Sequence, residues 1–210
     1  MSDTTDELLG LFPLDAVLVP EEVIPLHIFE DRYKKLIGER LEGGAFGIVL
    51  VDDDRLRGCG CTARVVELIE RFDDGRMNVL VQGERRFRLV ELREPEDAEA
   101  DYLRAGVEYY GDDDEEEAAE ALRAGVLETL RRMLVLMGVE KPREPAKEGQ
   151  LSFRVAAAVD FGTPLKQELL ESASEKRRLE MLLTVMTALV PRLELRKQRE
   201  EAIRGNGKGY

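Results

Sequence analysis

The chain has 210 residues, of which 43% are apolar, and a formal net charge of −13. This length and apolar content are sufficient for one large folded domain or two small ones. No apolar run approaches the roughly 20 residues of a membrane-spanning helix, the acidic amino terminus is unlike a secretion signal, and two cysteines provide no disulfide framework. We therefore expect a cytoplasmic protein that binds no membrane.

The negative charge is concentrated in the first part of the chain. Residues 1–120 contain 14 basic and 32 acidic side chains, whereas residues 121–210 contain 17 and 12. This balance does not favour a nucleic-acid surface, because phosphate neutralisation requires clustered Lys and Arg. Residues 112–117 are six consecutive carboxylates. They allow binding of Ca²⁺ or of a basic partner, but the run lacks the spaced ligands and turn glycine of a calcium loop, which favours a solvated connector before a helix.

Residues 1–111 show the pattern of a β-rich domain with one early helix. Apolar residues from Phe29 to Leu41 recur at helical spacing, and Gly43-Gly44 ends this predicted helix. Apolar or alternating runs predict strands over Leu14–Val19, Ala45–Val51, Ala63–Leu68, Met77–Val81, Phe87–Leu92 and Leu103–Tyr109. Asp73-Asp74-Gly75 predicts a hairpin turn, since glycine accepts positive φ at no steric cost. Short strands at this spacing predict a partly closed barrel or strongly curved sheets.

The period of the apolar residues then changes to that of helices, which predicts a helical bundle over residues 112–204. Thr163-Pro164 has the composition of a helix start, with threonine as the cap and proline in the first turn. Ser172 and Glu175 form the pattern of a capping box for the last helix. Residues 205–210 are predicted to be a disordered tail.

Several motifs, taken together, resemble a known family. The run Pro25–Glu30 (PLHIFE) is followed at once by Arg32-Tyr33, after prolines at positions 13 and 20. Further matches lie at Gly58–Val65, Gly83–Phe87, Tyr102–Ala105 and Lys166–Glu171. In order and spacing they resemble the amino-terminal domain of the ATP-dependent protease Lon, the part that handles substrates, and they span nearly the whole chain.

The resemblance implies an α+β fold in which a PUA-like pseudobarrel precedes the helical bundle. In Lon, a phosphate-binding loop and a Ser-Lys protease dyad follow this domain. A phosphate loop requires the pattern G-x-x-x-x-G-K-[ST], and Gly207-Lys208, at the end of this sequence, lacks it. We therefore expect a free-standing protein that is not an enzyme and that needs no cofactor.

Neither a catalytic nor a metal site is predicted. His27 is the only histidine, so a Ser-His or Cys-His pair would have to use it. Its position just before the predicted helix favours a hydrogen-bonded structural residue over a catalytic base. Cys59 and Cys61, even with His27, fall short of the four ligands that structural zinc usually takes, which favours two reduced thiols at the start of a strand.

The sequence has three groups of candidate ligand contacts, and each has a structural alternative. Two arginines beside an aromatic residue in Gly83–Phe87 suit carboxylates or extended peptides, but they also fit a turn with Phe87 in the core and the arginines paired to acids. Aromatic residues near the early helix, and a methionine pair in the bundle, are either core residues or contacts on an adaptable surface. The candidate peptide-binding residues are Phe29, Tyr33, Arg85, Arg86, Met133 and Met137.

The predicted function is recognition without catalysis. The partner would be an unfolded or extended polypeptide, or another protein, held in a groove between the two parts or at a sheet edge. The alternative is an RNA-binding module, because PUA-like barrels also host that function and fold does not determine function. An unrecognised hydrolase is a third reading.

Overall fold

The computed structural model describes residues 8–95, 97, 101–113, 118–140 and 150–206, without the side chains of 204–206. Its strands and helices, in chain order, are β1 (Leu9–Leu14), β2 (Val23–Ile28), α1 (Asp31–Gly38), β3 (Phe46–Asp52), β4 (Arg55–Arg71), β5 (Met77–Arg93), β6 (Arg104–Tyr109), α2 (Glu120–Leu136), α3 (Leu151–Ala158), α4 (Thr163–Glu171) and α5 (Glu175–Asn206). No helix in this part of the chain is long and apolar enough to cross a membrane.

These elements form two compact units, each built from two stretches of the chain. The sheet unit combines the described residues up to Asp112 with Ala156–Ala173, and the helical unit combines the described residues of 113–155 with those from Ser174 onward. The domain boundary after residue 111, which we expected from the sequence, remains a prediction. The structure adds that α4, which we assigned to the bundle, packs with the strands.

Five strands of the sheet unit close into a barrel. The order across the sheet is β2-β5-β4-β3-β1-β6, and β6 also pairs with β5, so that the ring from β5 to β6 is complete. Strand β1 runs parallel to β3, whereas the other pairs are antiparallel. One cluster of the core consists of Leu9, Leu11, Val49, Phe87, Ala105 and Val107. The predicted α+β fold with a β-rich pseudobarrel is confirmed.

Strands β4 and β5 are longer than the ring requires. Each has 17 residues, and they are joined by the predicted turn, where Gly75 has a φ of 85°. Beyond the ring, Arg64–Arg71 of β4 pairs with one side of Met77–Gln82, and β2 pairs with the other side. We call these three segments (Val23–Ile28, Met77–Gln82 and Arg64–Arg71) the extension.

The structure corrects the ends of three predicted elements. Strand β1 is Leu9–Leu14 and not Leu14–Val19, although Val17, Leu18 and Val19 are buried. Helix α1 begins at Asp31 and ends at Gly38, because Glu30 is still extended. Phe87–Leu92 is not a separate strand but the continuation of β5.

Glycine at position 83 allows the main chain before β2 to approach the middle of β5 closely. A Cβ at Gly83 would lie 2.2 Å from the carbonyl oxygen of Val19. Only a residue without a side chain allows the two main chains to approach this closely. The close approach aligns the turn before β2 with the middle of β5, where Gly83 N donates to the carbonyl of Glu22 at 2.9 Å.

In the helical unit, α5 begins and ends differently from the prediction. Ser174, rather than Ser172, caps the helix, because its Oγ accepts a hydrogen bond from the main-chain N–H of Arg177 at 3.3 Å. Glu175 is instead directed to Ser152. Helix α5 continues to Asn206, so the first two residues of the predicted tail are helical. Residues 207–210, like 114–117 of the acidic run, lie outside the described residues.

Candidate functional site

The extension has an outer face on which side chains form rows across the three strands. Directly paired residues of neighbouring strands point to the same face of a sheet. The rows are Val23–Gln82–Arg64, Pro25–Leu80–Glu67 and His27–Asn78–Glu70. Phe29 and Phe72 prolong this face, since their ring centroids lie 6.0 and 6.2 Å from that of His27. On the opposite, inner face, Met77, Val79 and Val81 are buried.

Large apolar side chains are exposed on the extension and just beyond it. Their exposed fractions are 49% for Val23, 59% for Phe29, 46% for Val66, 41% for Leu68 and 52% for Ile69. Val66 and Ile69 each occupy a bulge of β4, where the pairing with β5 passes over one residue. Bulges redirect side chains and increase the local twist. Contiguous exposed apolar surface is one feature of interaction sites.

The β4 side of the extension is a sheet edge. Within the described part of the chain, no strand pairs with the outer side of Arg64–Arg71. The opposite edge, β2, contains Pro25, which blunts an edge by removing a main-chain donor. The β4 edge has no proline, but its bulges at Val66 and Ile69 interrupt the hydrogen-bonding repeat. A partner can therefore add main-chain hydrogen bonds over short stretches and must otherwise contact side chains.

His27 belongs to a hydrogen-bonded row on the outer face. Its Nδ1 lies 2.6 Å from Oδ1 of Asn78, and Nδ2 of Asn78 donates to Glu70 at 3.2 Å. A carboxylate only accepts, so the Asn78 nitrogen faces Glu70 and its oxygen accepts from Nδ1–H of His27. In the neutral imidazole, this tautomer leaves Nε2 of His27 as an acceptor on the exposed face. The hydrogen bond agrees with the structural role that we predicted for His27.

The structure separates the predicted peptide-binding residues. Phe29 lies on the outer face. Tyr33 is buried, with its ring centroid 4.3 Å from that of Phe12, and this burial raises the pKa of its hydroxyl. In the helical unit, Met133 is buried and Met137 is exposed. Of these four residues, Phe29 is the one that lies on the outer face of the extension.

The two arginines of Gly83–Phe87 have opposite environments. Arg85 is exposed, whereas Arg86 is 3% exposed. Arg86 donates to the carbonyl oxygens of Leu170 at 3.3 Å and Ser172 at 2.5 Å, and it pairs with Asp112 at 2.6 Å. The structure thus fits the alternative that we gave for this segment, and the burial of Arg86 does not favour a peptide contact.

Helix α4 shows why the motif Lys166–Glu171 accompanies the others. Lys166 pairs with the buried carboxylate of Glu22, which also accepts from the main-chain N–H of Val19 at 3.1 Å. The hydroxyl of Tyr110 donates to the carbonyl of Leu170 at 2.7 Å. The motif therefore holds α4 on the strands. Sequence reasoning missed this contact, because nothing in the helical period of α4 indicates which partner it packs against.

The cysteines do not form a metal site with other described residues. Both are free, and Cys61 is buried. Burial raises the pKa of the Cys61 thiol to about 12. Burial, with Cys59 as a neighbour, also raises the pKa of Tyr110. Among the described residues, no group of three or more His, Cys, Asp or Glu side chains is placed to hold a metal ion.

The family model of the ATP-dependent protease La (LON) substrate-binding domain matches residues 9–188. The chain belongs to the Lon substrate-binding domain family. This match covers the barrel, the extension and most of the helices, and it confirms the resemblance that the sequence motifs indicated.

Curated proteins similar to this chain are named Lon proteases. Lon protease 2 of Myxococcus xanthus is 28% identical over 217 residues, which cover 95% of this chain and 26% of the relative. The Lon protease of Anaeromyxobacter dehalogenans is 28% identical over 218 residues, with coverage of 94% and 25%. The chain thus spans about a quarter of the length of these relatives.

Two solved structures have the same architecture. The Lon N-terminal domain protein from Xanthomonas campestris has a TM-score of 0.66 and 26% identity, covering 85% of this chain and 98% of that one. The N-terminal domain of the Mycobacterium avium complex Lon protease has a TM-score of 0.62 and 18% identity, with coverage of 86% and 98%. The second likeness shows the fold alone.

Proposed function

We propose that this protein recognises unfolded or extended polypeptide through the outer face and the β4 edge of the extension. The observation that carries the proposal is the group of exposed apolar side chains there, in a family whose model is described as a substrate-binding domain. An edge strand with neighbouring apolar residues is a liability for a soluble protein unless a partner covers it. A bound polypeptide covers these exposed apolar side chains.

Binding by this surface is adaptable and of modest affinity. Val66, Leu68 and Ile69 offer apolar contact along the edge, and Phe29 offers it at the end of the outer face. Because the bulges interrupt the edge, a bound segment gains few main-chain hydrogen bonds and can have many different sequences. Ordering a flexible segment costs conformational entropy, which lowers the net affinity of such contacts.

The proposed activity is recognition without catalysis, and the proposed location is the cytoplasm. His27 is held by Asn78 through Nδ1, and burial with a raised pKa makes the Cys61 thiol a poor nucleophile. Neither His27 nor Cys61 is therefore arranged as a general base or nucleophile. The acidic composition of residues 1–120 favours polypeptide over RNA as the partner.

The test compares two double variants of matched chemistry. Val66→Ser with Ile69→Ser removes apolar side chains from the extension, and Val90→Ser with Leu92→Ser removes apolar side chains of β5 in the ring that are 68% and 48% exposed. We expect the Kd for a fluorescent, permanently unfolded casein to rise about tenfold in the first variant, from the lost apolar contact, and less than about twofold in the control.

Two results would contradict the proposal. Equal weakening of casein binding in both double variants would show that the extension is not the binding site. Absence of polypeptide binding, together with tight and strongly salt-dependent binding of a 20-nucleotide RNA, would favour the RNA-binding alternative, since counterion release makes nucleic-acid binding fall steeply with salt.

A further inference from the structure

We infer that the segment bound on the outer face is an extended apolar segment carrying a lysine or arginine, and that the surface discriminates against the same segment carrying an acidic residue. This inference rests on the proposed function and specifies its substrate class. The outer face is apolar on its β2 side, at Val23, Pro25 and Phe29, and acidic on its β4 side, at Glu67 and Glu70. A complementary segment therefore needs both kinds of side chain.

The acidic side of the outer face presents acceptors. Glu67 and Glu70 are exposed; Glu70 accepts from Asn78, and Glu67 has no ion pair with a described residue. A cationic side chain supplies the donors that these groups lack, and charge-assisted hydrogen bonds are stronger than neutral ones.

The basic residues that border this face are already neutralised or lie elsewhere. Arg64 pairs with Glu84 at 3.1 Å, and Arg76 pairs with Asp74 at 2.7 Å. Arg71 pairs directly with the buried Met77, so Arg71 belongs to the inner face. The carboxylates of Glu67 and Glu70 are therefore not neutralised by these basic residues.

The aromatic residues of the face fit the same partner. The guanidinium of Arg76 already lies 5.1 Å from the centroid of the Phe72 ring. Phe29 is 59% exposed, and its ring offers a comparable face to a cation from a bound segment. The excess of 32 acidic over 14 basic residues in positions 1–120 also attracts basic segments at longer range.

The experiment uses three synthetic peptides that share one extended apolar sequence and differ at one central residue, which is Lys, Gln or Glu. Their Kd values are measured by fluorescence anisotropy against the full chain and two double variants. Glu67→Gln with Glu70→Gln removes the proposed partners and keeps an acceptor for Asn78. Asp53→Asn with Asp54→Asn removes two exposed charges from the β3–β4 turn, where asparagine tolerates the φ values of 48° and 60°.

We expect the Lys peptide to bind the unaltered chain about three- to tenfold more tightly than the Glu peptide, with the Gln peptide between them, in line with one or two exposed charge pairs. This preference should disappear in the Glu67/Glu70 variant and persist in the control. Equal binding of all three peptides would overturn this inference while leaving the proposed function intact. A preference that persists without Glu67 and Glu70 would also overturn it, and absence of binding by every peptide and by unfolded casein would reject the proposed function itself.

Discussion

The guanidinium of Arg86 donates a hydrogen bond to the carbonyl oxygen of Leu170, which lies 84 positions further along the chain. The same guanidinium pairs with Asp112 at 2.6 Å. Its carbon atom lies 4.6 Å from the centroid of the Tyr110 ring. One buried cation thus connects β5, the end of α4 and the segment after β6. These contacts join distant parts of the sheet unit.

We expect Arg86→Ala to lower the free energy of unfolding by about 3–5 kcal/mol, because it removes a buried cation that pairs with Asp112 and donates to the carbonyls of Leu170 and Ser172. Urea denaturation followed by circular dichroism measures this change. Arg85→Ala is the control, since its exposed guanidinium lies over the ring of Tyr109, and a cation–π contact of this kind contributes about 1 kcal/mol. Similar losses of unfolding free energy in both variants would show that the network around Arg86 stabilises the fold no more than the exposed contact of Arg85.

A second prediction concerns the close approach at Gly83. Gly83→Ala should cost about 1–3 kcal/mol or more of unfolding free energy, because its Cβ would meet the carbonyl oxygen of Val19 at 2.2 Å. Gly106→Ala is the matched change, since the nearest atom to its Cβ is 3.8 Å away. Thermal melts of both variants compare the two sites, and a fall of the melting temperature for Gly106→Ala as large as that for Gly83→Ala would contradict the prediction.

In the helical unit, Arg178 is fully buried beside Phe153. Its Nε donates to Oγ of Ser152 at 2.8 Å, and its Nη2 pairs with Glu175 at 2.7 Å. We expect Arg178→Ala to destabilise by about 3–5 kcal/mol and Arg177→Ala, at the exposed neighbouring position, by less than about 0.5 kcal/mol. Urea denaturation is the measurement, and tolerance of Arg178→Ala would show that this ion pair is dispensable.

The raised pKa of Cys61 predicts slow thiol chemistry. In a Cys59→Ser variant, Cys61 is the remaining cysteine, and at pH 8 a pKa of about 12 leaves only about one thiol in ten thousand ionised. Native protein should therefore react with a thiol reagent far more slowly than urea-unfolded protein, since the thiolate is the reactive form. Equal rates in the two states would disprove the burial of Cys61.

The same shift determines the sign of a stability change with pH. Above its ordinary value of 9.0, the Cys61 thiol ionises in the unfolded chain but not in the folded one. The folded state then binds more protons than the unfolded state, so the free energy of unfolding falls as the pH rises from about 9. The difference between the parent chain and Cys61→Ala in denaturation midpoints at pH 7 and pH 10 isolates this contribution.

Much of this architecture is determined by local sequence. Apolar alternation over Met77–Val81 and the turn at Asp73-Asp74-Gly75 depend on neighbouring residues, and the structure confirms both. Gly138, with a φ of 90°, directly follows the cap of α2, where a left-handed glycine commonly ends a helix. The order and spacing of the motifs indicated the family, which the match over residues 9–188 confirms.

Burial of individual side chains was decided only by the tertiary structure. Arg85 and Arg86 are adjacent and chemically identical, yet one is exposed and the other is 3% exposed, because Leu170 and Ser172 approach from a distant part of the chain. Likewise, the apolar run around Val66 and Ile69 has the composition of a core strand. Only the register of β4 against β5, with a bulge at each of these residues, and the lack of a described strand beyond β4 turn them into an exposed edge. Local periodicity specifies which face of an element is apolar, whereas contacts between distant residues decide whether that face is covered.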